Sequence, residues 1–258
     1  LIILRSTVKV GSTKKIVMPV LNKVGVGYDL AFCPERTLEG KALEEIRSLP
    51  QIVGGADMTS NIRAAQLFQF LTPTVVRVQD LETAEMIKLV DNTQRDVQFA
   101  FANEVAAMCD AVGISAHEVI KAGKLGYPRT NLAMPGPVGG PCLEKDPHIL
   151  AEAMRELGAE PHIAMAARGV NERQPRESVR FIQAEAAACG LNVEKISLLG
   201  LAFKGRPATN DLRGTMARPI LDALSETYPD AKIYGFDDVV ADEDIVGFGL
   251  TPSATLED

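Results

Sequence analysis

The chain has 258 residues, 46% of them hydrophobic and 24% charged, with a formal net charge of −7. That length accommodates one large domain or two smaller ones, and the apolar content is enough to bury a core. The acidic balance excludes an ordinary nucleic-acid binder, and no apolar run reaches the ~18 residues of a membrane span.

The chain opens on Leu1-Ile2-Ile3-Leu4, a β-rich run that stops at Arg5-Ser6-Thr7. It shows neither an initiator Met nor a signal-peptide layout, so it is expected to begin inside a domain of a cytoplasmic protein. Gly11 to Leu21 reads as a helix and Tyr28 to Cys33 as a short strand stopped by Pro34. Gln51 to Gly55 reads as a strand, Asn61 to Phe70 as a helix and Thr74 to Val78 as a β-branched strand. Such alternation is the α/β pattern and suits the second half of a doubly wound domain.

The character changes at Leu81. Leu81 to Val112 contains neither Pro nor Gly and reads as one long helix ended by Gly113. His117 to Ala122 is a further helical piece, and Gly123 to Cys142 is a Gly/Pro-rich loop. Asp146-Pro147 starts a helix that runs to about Leu157. Ile196 to Phe203 (strand), Asp211 to Ser225 (helix) and Ala231 to Phe236 (strand) then form a β-α-β unit, the start of a mononucleotide-binding half.

Four places carry candidate chemistry. Cys142 follows Gly139-Gly140-Pro141 in a tight loop, with Lys145 and Asp146 just beyond it at the start of a helix. A nearby cation and a helix N-terminus both favour a thiolate, the species covalent catalysis needs; the alternative is an ordinary loop thiol, with Asp146 capping the helix. Lys88 and Asn92 are four apart on the long helix and share a face, with Asp96 and Asn103 broadly on the same side. They suit an oxyanion pocket or, alternatively, a solvated face supported by Glu85 and Lys88. Glu35 and Glu39 follow a strand end, where α/β proteins place ligands and general bases, or are simply exposed loop residues. Phe203-Lys204 and Asp211-Leu212-Arg213 lie between a strand and a helix start, a place that suits phosphates or is a plain βα loop. The glycine fingerprint of a dinucleotide site is absent from the chain. The other cysteines, Cys33, Cys109 and Cys189, are expected to be reduced thiols, with Cys109 and Cys189 on apolar helical stretches. The three histidines are scattered, and no metal site is expected.

The order and spacing of these segments carry more than any one of them. Arg5-Ser6-Thr7-Val8, Cys33-Pro34-Glu35-Arg36, Thr83 to Thr93, Phe101-Ala102-Asn103-Glu104, Pro135 to Pro147, and Gly200 to Lys204 with Asp211-Leu212-Arg213 together resemble the UDP-glucose/GDP-mannose dehydrogenase family along essentially the whole chain. The resemblance implies residues 1–80 as the C-terminal part of an NAD-binding Rossmann domain. It implies residues 81–190 as a central helical domain with a long dimer-building helix and the Cys142 loop, and residues 191–258 as the start of a Rossmann-like domain for the sugar nucleotide. The missing glycine fingerprint would then lie N-terminal to this chain.

The same resemblance assigns roles. Cys142 would attack a C6 aldehyde, and the resulting thiohemiacetal would become a thioester and be hydrolysed. Lys88 and Asn92 would stabilise the oxyanion, with Lys88 also in proton transfer. Asp146 would act as base or order a water, Glu35 would help hydrolysis, and Thr7 would hold a water or touch NAD. Glu39, Arg129, Gly139, Gly140, Phe203 and Lys204 would bind substrate, with Arg129 reaching across a homodimer. Ser6, Thr7, Lys145 and Arg213 would bind cofactor. The run Gly205 to Arg213 departs from the family's usual pattern: an Asn replaces an acid at position 210, and Gly214-Thr215 replaces the frequent Glu-Ser. Pro34-Glu35-Arg36 resembles members that act on UDP-N-acetylhexosamines, above all UDP-N-acetylmannosamine, with UDP-glucose the alternative. Such products usually feed polysaccharide synthesis. A two-electron dehydrogenase would need no cysteine, and a module with nucleotide-binding flanks that has lost activity is the non-enzymatic alternative. The apolar residues Ala100, Phe101, Val105, Ala106 and Met108 of the long helix are expected to form the homodimer surface.

Overall fold

The computed structural model describes residues 1–253; the last five residues of the expected third domain lie outside the described residues. In chain order the elements are β1 (Ile2–Leu4), a π-helical turn (Thr13–Val17) running into α1 (Met18–Asn22), β2 (Leu30–Phe32), α2 (Ala42–Ser48), β3 (Gln51–Gly55), α3 (Met58–Gln69), β4 (Val75–Val78), α4 (Leu81–Val112) and α5 (Ala116–Lys124). These are followed by α6 (Asp146–Glu156), α7 (His162–Ala188), β5 (Lys195–Leu199), α8 (Ala217–Thr227), β6 (Lys232–Phe236), α9 (Asp242–Gly247) and β7 (Thr251–Pro252). The chain divides into two compact units, Leu1–Gln94 with Lys145–Ala164, and Arg95–Glu144 with Met165–Asp258.

The first unit is built on a sheet of order β1-β2-β3-β4. β1 pairs parallel with β2 and β3 parallel with β4, but β2 and β3 run antiparallel, so the sheet is mixed. Alternation along the strands sends successive side chains to opposite faces. Ala31, Cys33 and Val53 pack with Ala64 and Phe68 of α3 on one face. Phe32 and Ile52 pack with Leu81 and Ala84 of α4 on the other. Burying one such large side chain contributes about 1.5–3 kcal/mol. Both faces are covered, so these strands read as near-continuous apolar runs. Asp57 caps α3 by accepting from the Ser60 amide at 2.7 Å, which starts that helix three residues before the expected Asn61.

The second unit holds the rest of α4, α5, most of α7 and a parallel sheet of order β5-β6-β7. Val105 and Cys109 of α4 pack against Ile120 of α5. Leu201, Leu221, Ile245 and Leu250 form the core beside the sheet.

Several expectations change. β5 ends at Leu199 instead of Phe203, because Gly200 turns at φ +81° and the amides of Leu201 and Ala202 donate to Asp237 instead of to a strand. α8 starts at Ala217, not Asp211: Asp211 ties down the Arg213 amide in a local turn, and Gly214 takes φ +61°. α2 and α9 have no counterpart among the expected elements, and α7 extends the helical stretch expected near Cys189 back to His162, with Pro175 inside it. Cys189 is exposed in the turn after α7 and not on an apolar helical face. Ala100 and Val105, expected on a dimer surface, are buried within this chain, while Phe101 and Met108 stay exposed.

Candidate functional site

Each unit holds its own share of the expected residues. In the first unit, parallel β1 and β2 end at the same edge of the sheet, the edge where open α/β sheets bind ligands. Ser6 and Thr7 follow β1 and Glu35 follows β2. The two segments are joined by the Glu35 amide, which donates to the Arg5 carbonyl at 3.1 Å, and by Arg5 Nη2, 2.6 Å from Glu35 Oε2. Burial works against the charge of Glu35, but hydrogen bonds from Thr37 and the Arg5 guanidinium outweigh it and hold its carboxyl below the usual range. Arg5 Nε is buried without a hydrogen-bond partner. Glu39 lies exposed in the loop beyond.

Both segments are tied to α4. Arg36 reaches Asp91 at 3.4 Å. Glu85, buried, accepts from the Gly11 amide at 2.5 Å, the Thr13 amide at 2.9 Å and the Thr13 hydroxyl at 2.6 Å. Glu85 therefore anchors the loop after β1 and does not pair with Lys88. Lys88, half-buried, has no hydrogen-bond or ion-pair partner among the described residues. One turn on, Asn92 donates from Nδ2 to Asp146 Oδ2 at 2.5 Å. Asp146 is fully buried, and its other oxygen accepts from Lys145 Nζ at 2.6 Å. Asp146 does not cap α6; its carboxylate is spent on Asn92 and Lys145. The face of α4 for which a solvated role was the alternative is buried at Asn92, Asp96 and Asn103.

In the second unit Cys142 is exposed on the loop before α6. The glycines before it serve packing inside the chain. The Gly140 amide donates to the Gly214 carbonyl at 2.7 Å. Gly140 has φ +89°, and a Cβ there would stand 2.7 Å from the Phe203 ring. A Cβ on Gly139 would stand 2.5 Å from the Gly214 carbonyl oxygen. The Cys142 loop is thus docked backbone to backbone on the loop that carries Phe203 and Lys204. Lys204 lies over the Phe203 ring at 5.1 Å. Arg213 is mostly exposed and is engaged with Asp211 at 2.6 Å, ahead of the helix start and not in its first turn. Arg129 stacks on Tyr127 at 4.4 Å on an exposed stretch.

The polar side chains least legible in the sequence form a network in this unit. Arg168 Nη1 donates to Asp96 Oδ1 at 2.7 Å and to the Leu143 carbonyl at 2.8 Å, and Nη2 to the Val138 carbonyl at 3.3 Å. Asn171 Nδ2 donates to Asp96 Oδ1 at 2.8 Å, and its own Oδ1 accepts from Asn103 Nδ2 at 3.0 Å. Asn103 also exchanges two bonds with Gly136, at 3.0 and 2.7 Å. The available signal was spacing: Asp96 and Asn103 recur seven apart on α4, and Arg168 and Asn171 three apart on α7. Among the described residues no cluster of three or more His, Cys, Asp or Glu side chains could hold a metal, and no helix is long and apolar enough to cross a membrane.

Comparison with known proteins bears on both units. The NAD binding domain model of the UDP-glucose/GDP-mannose dehydrogenase family matches residues 1–72, and that family's central domain model matches residues 82–173. The chain is 34% identical over 227 residues to the UDP-N-acetyl-D-mannosamine dehydrogenase of Methanococcus maripaludis, covering 88% of this chain and 51% of the relative. It is similar in structure to a UDP-D-ManNAc dehydrogenase from Pyrococcus horikoshii, with a TM-score of 0.83 at 29% identity, covering 93% of this chain and 57% of that one. It is also similar to a UDP-glucose dehydrogenase from Pyrobaculum islandicum, with a TM-score of 0.86 at 26% identity, covering 98% of this chain and 59% of that one. The chain spans about half the length of the curated relatives it matches.

Proposed function

The chain belongs to the UDP-glucose/GDP-mannose dehydrogenase family, and from that premise we propose that the protein oxidises the C6 hydroxyl of a UDP-sugar to a carboxylate in two NAD-dependent steps, with Cys142 as nucleophile. The carrying observation is the pairing of Asn92 with a fully buried Asp146, four residues after an exposed Cys142. A buried carboxylate held by two side chains is costly to build, and such sites cluster where chemistry is done.

The residues at the carboxyl edge of β1 and β2 fit one end of a dinucleotide. Ser6 and Thr7 offer hydroxyls with no hydrogen-bond partner among the described residues, and the buried Arg5 Nε beside them also lacks one. The glycines that cradle a pyrophosphate are not in this chain. NAD, when bound, takes up one hydride in each oxidation.

The chain's own groups supply the rest. Lys88 accepts the proton of the C6 hydroxyl and, once protonated, faces the developing oxyanion together with Asn92. Asp146 holds the Asn92 amide in place. The Cys142 thiolate adds to the aldehyde carbon, forming the S–C bond of a thiohemiacetal. After the second oxidation the sulfur carries a thioester. Water, deprotonated with help from the ionised Glu35, adds to the acyl carbon, the S–C bond breaks, and the carboxylate leaves with the thiolate restored. One sugar alcohol, two NAD and one water give one carboxylate, two NADH and three protons.

UDP-N-acetylmannosamine is the preferred substrate, supported by the relatives' names and by Pro34-Glu35-Arg36; the product suits polysaccharide synthesis. The homodimer forms along α4, where Phe101, Met108 and Val112 recur as an exposed apolar stripe. Residues 1–80 complete the NAD-binding domain, residues 81–190 form the central helical domain, and residues 191–258 begin the domain for the sugar nucleotide. The test is turnover by the full-length protein with UDP-N-acetylmannosamine, UDP-N-acetylglucosamine and UDP-glucose, beside Cys142→Ala. Preference for the first sugar and loss of carboxylate formation in the variant are expected. Full carboxylate formation by Cys142→Ala contradicts the proposal.

A further inference from the structure

Residues Gly136 to Leu143 belong to no helix or strand, so their backbone groups need partners from elsewhere. The partners come from two helices. Asn103 of α4 takes both the amide and the carbonyl of Gly136, and one guanidinium, that of Arg168 on α7, takes the carbonyls of Val138 and Leu143. We propose that Arg168 is a positioning residue for Cys142, holding the nucleophile's loop on both sides of the exposed thiol while Asp96, Asn103 and Asn171 hold Arg168 and the start of the loop. The proposal deepens the reaction described above and rests on it.

Holding α4 and α7 together does not require this network. Arg168 is 2% exposed and Asp96 0%, and a buried ion pair generally stabilises a fold no more than well-packed apolar residues of the same volume. Apolar side chains cannot hold backbone carbonyls at fixed points, whereas a planar guanidinium with several N–H donors can. Cys142 directly precedes Leu143, whose carbonyl is the closer of the two held. The thiol is therefore displayed from an immobilised backbone. A nucleophile needs that placement, since a misplacement of about 1 Å costs roughly 100-fold in rate.

The test uses the full-length protein with Arg168→Lys, which keeps a charge beside Asp96 but loses the fork, and Asn103→Ala, which frees Gly136 without stranding a charge. Leu221→Ala, in the apolar core of the same unit, is the control for general loosening. For the folded variants, judged by circular dichroism, kcat is expected to fall about 10- to 100-fold with KM values within about threefold. The rate of Cys142 alkylation by iodoacetamide, resolved by peptide mass spectrometry, should change at least about threefold, with Cys189 unchanged as internal reference. Wild-type kcat and wild-type Cys142 alkylation in folded Arg168→Lys and Asn103→Ala overturn the proposal. So does an equal change in Leu221→Ala at a matched loss of melting temperature. If the wild-type protein oxidises no sugar nucleotide, the four-electron reading fails, while the alkylation comparison still decides the role of Arg168.

Discussion

Asn92 and Asp146, 54 residues apart, are joined by a 2.5 Å hydrogen bond from the Asn92 amide to Asp146 Oδ2. Lys145 holds the other carboxylate oxygen, so one buried anion orients two side chains at once. In the proposed reaction that gives Asp146 the task of holding the Asn92 amide in place. Asp146→Asn keeps the shape but removes the anion. The expected result is a loss of kcat of about 100-fold or more with a smaller change in substrate KM. Asp146→Ala leaves the buried Asn92 amide without its acceptor and should also cost about 1–3 kcal/mol in a denaturation experiment.

Alkylation should sort the four cysteines by environment. Burial pushes the Cys33 thiol up to about 12, against the opposing pull of the Arg5 charge, and Cys109 is buried as well. Cys142 and Cys189 are exposed. Native protein treated with iodoacetamide should carry label on Cys142 and Cys189 only; label on Cys33 before unfolding contradicts this picture.

The glycines of the Cys142 loop should be intolerant for reasons of space and conformation. Gly140→Ala places a methyl 2.7 Å from the Phe203 ring at φ +89°. Gly158 has a similar φ of +81° but nothing within 4 Å of a built Cβ. Gly158→Ala should cost about 1–2 kcal/mol from the backbone alone, and Gly140→Ala about 1–3 kcal/mol more from overpacking. Chemical denaturation of the two variants checks the difference.

Acid should loosen the second sheet through Asp237. Burial opposes its charge, but the amides of Val239, Ala202, Leu201 and Val240 outweigh burial and hold its carboxyl below the usual range. A lowered folded value means that the contribution is fully present above the unfolded carboxylate value near ~3.9 and is lost as pH falls through the folded one. Melting temperature should drop across that acid window in the wild type. Asp237→Asn should melt lower at neutral pH and show a flatter acid dependence.

How much was legible differs from residue to residue. α4 appears in the structure with the bounds Leu81–Val112 that its freedom from Gly and Pro implies, and β3 with the bounds Gln51–Gly55. Lys88 and Asn92 could be placed on one face by spacing alone. The partner of Asn92 could not, because Asp146 sits beside Pro147 in a pattern that equally describes a helix cap. The start of α8 was misjudged because Asp211 reads as a helix opener, whereas it closes a local turn on Arg213. Arg168 was invisible: its partners are the carbonyls of Val138 and Leu143, and backbone groups carry no residue identity. The neighbours of the glycines before Cys142 were not legible either: a Cβ on Gly139 or Gly140 would meet Met216, Gly214 or Phe203, all more than 60 residues further along the chain.

The central claim is four-electron oxidation through Cys142, and the stoichiometry of the full-length protein tests it most directly. NADH and carboxylated sugar are counted together in a single progress curve with UDP-N-acetylmannosamine limiting. Two NADH for each carboxylate is the expected result. One NADH for each sugar, with the aldehyde as the released product, contradicts it.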